Sequence, residues 1–257
     1  MADEVLHSIQ DGIATLTLNR PEKRNAINSA MAASLMAHFG ALEQHRDVRV
    51  VVLRGAGPVF CAGRDLREMG QQQHTEGAAQ TGVVALLQQL ETLPHPTIAM
   101  VHGDALAGGC ELALHCDLRV AAEGARFGMP LARLGLSVPF ELACKLIEVL
   151  GPAFTRQLLF TAQPIEARRA HDMGLVHQVV PPADLESATY AMARAIAGNA
   201  PLALRGIKAN IQRALSIRAQ IPHADLDDMV QRTRRSADAR EGVRAWLEKR
   251  APVFRGE

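Results

Sequence analysis

The sequence predicts an α/β fold, strand-rich in its first half and helical in its second, and three features carry that expectation. Short β-branched apolar runs at residues 48–53 and 97–101 end in glycine-bearing turns that lead toward helical patterns, as in parallel βα units. Residues 5–9 and 13–18 flank Asp11-Gly12 and read as the two arms of a hairpin. Beyond Asp184 the pattern is helical, with breaks only near Pro201 and Pro222. A composition shift at Gly198-Asn199-Ala200-Pro201 divides the chain into a core of residues 1–198 and a C-terminal helical region of residues 199–257. At 257 residues the chain is long enough for a sizeable core.

The elements follow in order. After the hairpin, residues 19–25 form a polar loop with three cations, Arg20, Lys23 and Arg24, a rim suited to phosphate oxygens. Residues 29–42 repeat at helical spacing, and Asn28 or Ser29 can cap them. The 48–53 strand runs into Arg54-Gly55-Ala56-Gly57-Pro58, and residues 59–66 leave a strand through Ala62-Gly63 into a short helix. Residues 69–82, rich in Gln, Gly and Ala, read as a loop along a substrate tunnel. Residues 83–93 are helical and stop at Pro94-His95-Pro96 before the 97–101 strand. Short strands are expected at 117–121 and 125–127, a loop at 127–135, helices at 139–150, 154–160 and 166–173, and a last strand at 175–180. The C-terminal cations Arg232, Arg234 and Arg235 read as a solvated helix face.

Composition excludes several classes. Hydrophobic content of 48% and charged content of 21% are those of an ordinary soluble globular protein. A net charge of +1 gives no reason to expect nucleic acid or an anionic membrane as partner. No apolar run approaches the roughly 20 residues of a membrane span, and Met1-Ala2-Asp3-Glu4-Val5 carries no secretory core, so the expected compartment is the cytoplasm. Cys61, Cys110, Cys116 and Cys144 show neither a CxxC pair nor zinc spacing and read as free, buried thiols; no metal is expected.

The chemistry is concentrated in Gly103…Ala107-Gly108-Gly109-Cys110-Glu111-Leu112, which follows the 97–101 strand and reads as strand, glycine turn, helix. Paired glycines permit close backbone approach, and the opening turn of a helix leaves amide N–H groups free to face negative charge on an oxygen. Glu111 sits in that first turn. A glutamate there also simply complements the helix dipole. His102 and His115, which flank the stretch, read as hydrogen-bonded structural histidines.

Further motifs place this stretch in a longer pattern: Arg20-Pro21…Asn25-Ala26, Phe60-Cys61-Ala62-Gly63-Arg64-Asp65-Leu66, Cys116-Asp117, Phe127-Gly128-Met129-Pro130, Gly174-Leu175-Val176 and Pro252-Val253-Phe254. Jointly, and over nearly the whole chain, these resemble the crotonase (enoyl-CoA hydratase/isomerase) superfamily. The resemblance implies a crotonase-like spiral of ββα units with a C-terminal helical trimerisation region, assembled as a homotrimer or homohexamer. It implies an acyl-CoA thioester substrate, with coenzyme A as part of the substrate and no separate cofactor. Two backbone N–H groups would form an oxyanion hole, and they fall on Ala62 and Gly108. Coenzyme A contacts would come from Lys23, Arg24 and Ala26, from Arg64, Asp65 and Leu66 along the adenine pocket, and from Lys249.

One position departs from the pattern. Hydratases of this superfamily commonly use two glutamates; the first maps onto Glu111, but the second position, after Phe-Gly-x-Pro, is Leu131. Leucine transfers no proton. The resemblance therefore implies hydratase/isomerase-type chemistry with Glu111 as acid/base. Two alternatives stand beside it: a Δ3,Δ2-enoyl-CoA isomerase with Glu141 as single base, and an acyl-CoA-binding protein without turnover.

Overall fold

The computed structural model describes residues 3–68, 78–216 and 221–256. Strands β1 (Val5–Gln10) and β2 (Ile13–Leu18) form the expected antiparallel hairpin around Asp11-Gly12. From β2 the sheet continues in parallel through β3 (Val50–Gly55), β4 (Thr97–Val101), β6 (Leu118–Ala122) and β9 (Gln178–Val180), in the order β1-β2-β3-β4-β6-β9. A smaller sheet, β5 (Ala105–Leu106), β7 (Arg126–Gly128) and β8 (Ile165–Glu166), stands beside it. β5 lies inside the stretch read as a simple turn; at two residues it is too short to carry a period.

Both faces of the large sheet are covered, which explains the continuous apolar strands. Val50, Val52, Ile98, Met100 and Val120 point to one side and pack with Leu185 and Ala193 of helix α6 (Leu185–Ala197). Val51, Leu53, Ala99, Val101 and Ala121 point to the other, into the main core. There they meet α1 (Ser29–Glu43), α2 (Ala78–Thr92), α3 (Gly108–His115) and α4 (Phe140–Thr161). The Asn28 side chain accepts from the Met31 N–H at 2.8 Å, so Asn28 is the cap of α1.

Two expectations are corrected and one is met. α2 begins at Ala78, five residues before the pattern suggested, because the small residues there are compatible with helix; residues 69–77 of the expected tunnel loop lie outside the described residues. The helices expected at 139–150 and 154–160 are both present; they run on as α4 with a break at Gly151, whose φ of 69° and ψ of 167° are not helical. Residues 59–66 form no strand; only a bridge between Cys61 and Ala105 ties them to β5.

After α5 (Ala167–Asp172) and α6, the chain ends in α7 (Pro201–Leu215), α8 (Ala224–Arg235) and α9 (Ala237–Leu247). α9 lies against the 3-10 turn Pro130–Leu134: a Cβ on Gly242 would overlap the Leu134 backbone. This contact brings the end of α8 over the core.

Candidate active site

The turn before α3 is built by close packing. A Cβ on Gly109 would collide with the Cys61 carbonyl oxygen, so glycine is required for the two segments to approach. Ala107 holds φ 47° and ψ −121°, a strained conformation for a residue with a side chain. The Leu106 N–H donates to the Cys61 carbonyl at 3.0 Å and the Ala107 N–H to the Gly128 carbonyl at 2.8 Å. Residues 61–64 and 105–108 are thereby locked side by side.

The 19–25 loop supports the same region from below. Asn25 is fully buried; its side-chain amide donates to the carbonyls of Ala56 (2.8 Å), Val59 (2.9 Å) and Phe60 (3.1 Å), and its oxygen accepts from the Arg20 N–H at 3.0 Å. Arg20 is spent inside the protein, on the Ala26 carbonyl (2.6 Å) and the Asp65 carboxylate (3.3 Å). Arg24 and Arg126 both pair with Asp104, the latter through two bonds of 2.8 Å.

A cavity of about 1210 Å³ opens over this turn. Ala62, Gly108 and Glu111 line it, as do Lys23, Arg24 and Ala26, and Arg64, Asp65 and Leu66. Leu131 lines it too, packed against the core. Two predicted residues are not brought there. Glu141 is 54% exposed on the surface, 3.4 Å from His223 Nε2, in a cluster with Asp227. Lys249, just beyond α9, is not among the lining residues, although its neighbours Trp246 and Leu247 are.

The backbone amides around Gly108 differ in how they are engaged. The Ala62 N–H donates to the Arg24 carbonyl at 3.0 Å and is committed to the fold. The amide nitrogen beside Gly108 is that of Arg64, 3.4 Å from where a Gly108 Cβ would stand. The Arg64 side chain also passes over Gly108, its Cγ 3.5 Å from the same point.

Glu111 is half-buried on the cavity wall, and desolvation pushes its carboxyl up to about 7, against the pull of the Arg64 and Arg234 guanidinium groups. Arg234 was read from sequence as part of a solvated face; instead it is half-buried and lines the cavity, as does Arg235. Burial lowers both the Arg64 and Arg234 guanidinium pKa; Glu111 opposes the shift in each, and Arg64 adds to it in Arg234. The histidines are engaged elsewhere: His102 Nε2 with the Gly57 carbonyl (2.9 Å), His115 Nδ1 with the Glu111 carbonyl (2.8 Å). All four cysteines are free, and burial pushes the Cys61, Cys110 and Cys116 thiols up to about 12, which makes them inert.

Fold and site together define an α/β protein with a large cavity over a strained strand-to-helix turn, with the Glu111 carboxyl on its wall. The chain belongs to the enoyl-CoA hydratase/isomerase family, whose family model matches residues 8–257. It is 36% identical to the short-chain-enoyl-CoA hydratase of Clostridium acetobutylicum, over 93% of this chain and 92% of that one. Identity to the 2,3-dehydroadipyl-CoA hydratase of Escherichia coli is 34%, over 98% and 99% of the two chains. A solved methylmalonyl-CoA decarboxylase, in complex with 2-nitronate-propionyl-CoA, superposes with a TM-score of 0.90 at 29% identity, covering 99% of each chain. The protein is accordingly an acyl-CoA enzyme of the crotonase type. Among the described residues, no helix is long and apolar enough to cross a membrane.

Proposed function

We propose that the enzyme moves protons at the carbon next to an acyl-CoA thioester carbonyl, with Glu111 as both acid and base. The observation that carries this reading is Glu111 itself: a desolvated carboxyl on the cavity wall, held at about 7, in the first turn of the helix that Gly108 opens. A group with that pKa accepts and returns a proton at neutral pH. The Gly108 N–H and the adjacent Arg64 N–H are the donors for the thioester oxygen as it gains enolate charge, in place of the Ala62–Gly108 pair expected from sequence. Each such donor is typically worth about 10²–10³ in rate.

One carboxylate suffices for either of two balanced sequences. In hydration of a 2-enoyl-CoA, Glu111 takes a proton from the water that attacks the β-carbon and then delivers it to the α-carbon. In isomerisation of a 3-enoyl-CoA, it takes the α-proton and returns it at the γ-carbon. Leu131, where a second carboxylate would stand, supplies no acid to either sequence. Lys23 and Arg24 are positioned for the coenzyme A phosphates, and the backbone at 64–66 for the adenine. We further propose cytoplasmic residence and a homotrimer or homohexamer. The exposed Leu202 (80%), Ile207 and Ile211 of α7 support association, and light scattering on the purified chain tests it.

Turnover of crotonyl-CoA and of 3-hexenoyl-CoA, followed across pH, is the direct test. The expected kcat/KM rises with pH through about 7, because the free enzyme must hold Glu111 ionised to act as base. Acyl-CoA binding without reaction of either substrate would sink the proposal.

A further inference from the structure

We propose that Arg24 and Arg126, held side by side on the carboxylate of Asp104, form a phosphate-binding subsite on the cavity wall, and that one phosphate of coenzyme A is its ligand. This rests on the thioester reading above and deepens it, adding Arg126 as a binding residue and Asp104 as a positioning residue.

Backbone pairing brings the three residues together from distant parts of the chain. The Ala62 N–H donates to the Arg24 carbonyl and the Cys61 N–H to the Asp104 carbonyl, each at 3.0 Å, so two adjacent residues fix both. Arg126 opens β7, whose next residue, Phe127, pairs with Ala105 directly after Asp104. Asp104 Oδ2 accepts from Arg24 Nη2 at 3.3 Å and from Arg126 Nη2 at 2.8 Å, so the two nitrogens are no more than about 6.1 Å apart. Asp104 Oδ1 accepts from Arg126 Nε at 2.8 Å, which completes a two-pronged pair and sets the plane of that guanidinium. The Asp104 side chain is 10% exposed, whereas those of Arg24 and Arg126 are 55% and 50% exposed, and all three line the cavity.

One carboxylate does not neutralise two guanidinium groups. Asp104 takes the Nε–Nη2 edge of Arg126 and one nitrogen of Arg24, and among the described residues no other hydrogen bond or ion pair engages either side chain. Nη1 of Arg126, and Nε and Nη1 of Arg24, keep their N–H groups for a ligand. Glu166, opposite Arg126 in the β7–β8 pair, acts on it more weakly than Asp104 does. Of the described residues around the cavity eight are Lys or Arg and four Asp or Glu, against 28 and 27 in the whole chain, so the cavity favours an anion of more than one charge. A phosphate fits the pair, because its oxygens accept from two planar forks at once, and half-exposed arginines meet it without the cost of a buried charge.

Isothermal titration of the full chain with butyryl-CoA, whose saturated acyl group is neither hydrated nor isomerised, tests this. Arg126→Met is expected to weaken binding by about five- to thirtyfold, the worth of a charge-assisted contact at a half-exposed site, and Arg126→Lys by less, because it keeps the charge and loses the fork. Butyryl-dephospho-CoA locates the group: a loss that disappears with it puts the ribose 3′-phosphate on the pair, and a loss that persists puts the diphosphate there. Butyryl-pantetheine, which has no phosphate, is expected to bind wild type and Arg126→Met within about twofold of each other, read by its displacement of butyryl-CoA. Arg24→Met, on a separate loop, is expected to give the same pattern, and it decides the question if Arg126→Met folds poorly. Unchanged butyryl-CoA affinity in both methionine variants would overturn the subsite. So would equal weakening of all three ligands, which would assign the cluster to the fold alone. Failure of the wild type to bind butyryl-CoA would instead remove the thioester reading.

Discussion

Replacing Glu111 with glutamine separates the energetic cost of this carboxylate from its use. The carboxyl shifts from an ordinary value of 4.5 in the open chain to about 7 in the fold. The folded state therefore holds the proton more tightly, and stability falls as pH rises from 4.5, levelling off above about 7. That shift corresponds to a penalty of about 3 kcal/mol, fully present at pH 8 and absent at pH 4. Glutamine has the same shape and no charge, so Glu111→Gln is expected to match the wild type at pH 4 and exceed it by about 3 kcal/mol at pH 8. Urea unfolding at a series of pH values reads this directly, and kcat/KM on the same preparations is expected to drop by about 10²–10⁴. A stability difference that stays constant with pH would show that the carboxylate is not desolvated. Full activity in the variant would remove Glu111 as the base.

Other substitutions test the frame around it. Glu141→Gln is expected to leave kcat/KM within about twofold, since the residue stands on the surface beside His223; a hundredfold loss would restore the single-base isomerase reading. Gly109→Ala forces a methyl into the Cys61 carbonyl and is expected to destabilise by about 1–3 kcal/mol or more, seen as a lowered Tm; an unchanged Tm would deny the close approach. Asn25→Ala leaves three buried carbonyls without their donor and is expected to cost roughly 2–4 kcal/mol in urea unfolding, with activity lost alongside because residues 59–62 are released.

The sheet was legible because its signals are local. Val50–Gly55 and Thr97–Val101 are apolar on both faces, as parallel strands between two layers must be, and Asp11-Gly12 sets the hairpin by turn chemistry alone. Glu111 was legible because glycine pairs and a first-turn carboxylate sit within four residues of each other in sequence. What failed was whatever depended on distant packing. Arg234 belongs to a helix whose composition alone marks a solvated face; only the seating of α9 on the Pro130–Leu134 turn carries it inward. The proposal of Arg64 in place of Ala62 as oxyanion donor turns on a similar point. Which N–H along residues 61–65 faces Gly108 is decided by pairing with Arg24 and Ile27, some forty residues earlier in the chain, and no short motif records that register.

The balance at Glu111 also constrains how the site works when occupied. Two guanidinium groups favour the ionised form, yet the carboxyl still lies near 7, so exclusion of water outweighs them. On the proposed reading, an enolate formed beside Glu111 takes up part of that cationic field and adds a like charge. Both effects raise the pKa of Glu111 further. The proton taken in the first half of the reaction is then held more firmly while negative charge is present, and its delivery to carbon coincides with the loss of that charge. The free enzyme is thus poised as a base and the occupied enzyme as an acid. The inflection in kcat is accordingly expected at higher pH than that in kcat/KM. Coincident inflections in kcat and kcat/KM would mean that the bound substrate places no negative charge beside Glu111.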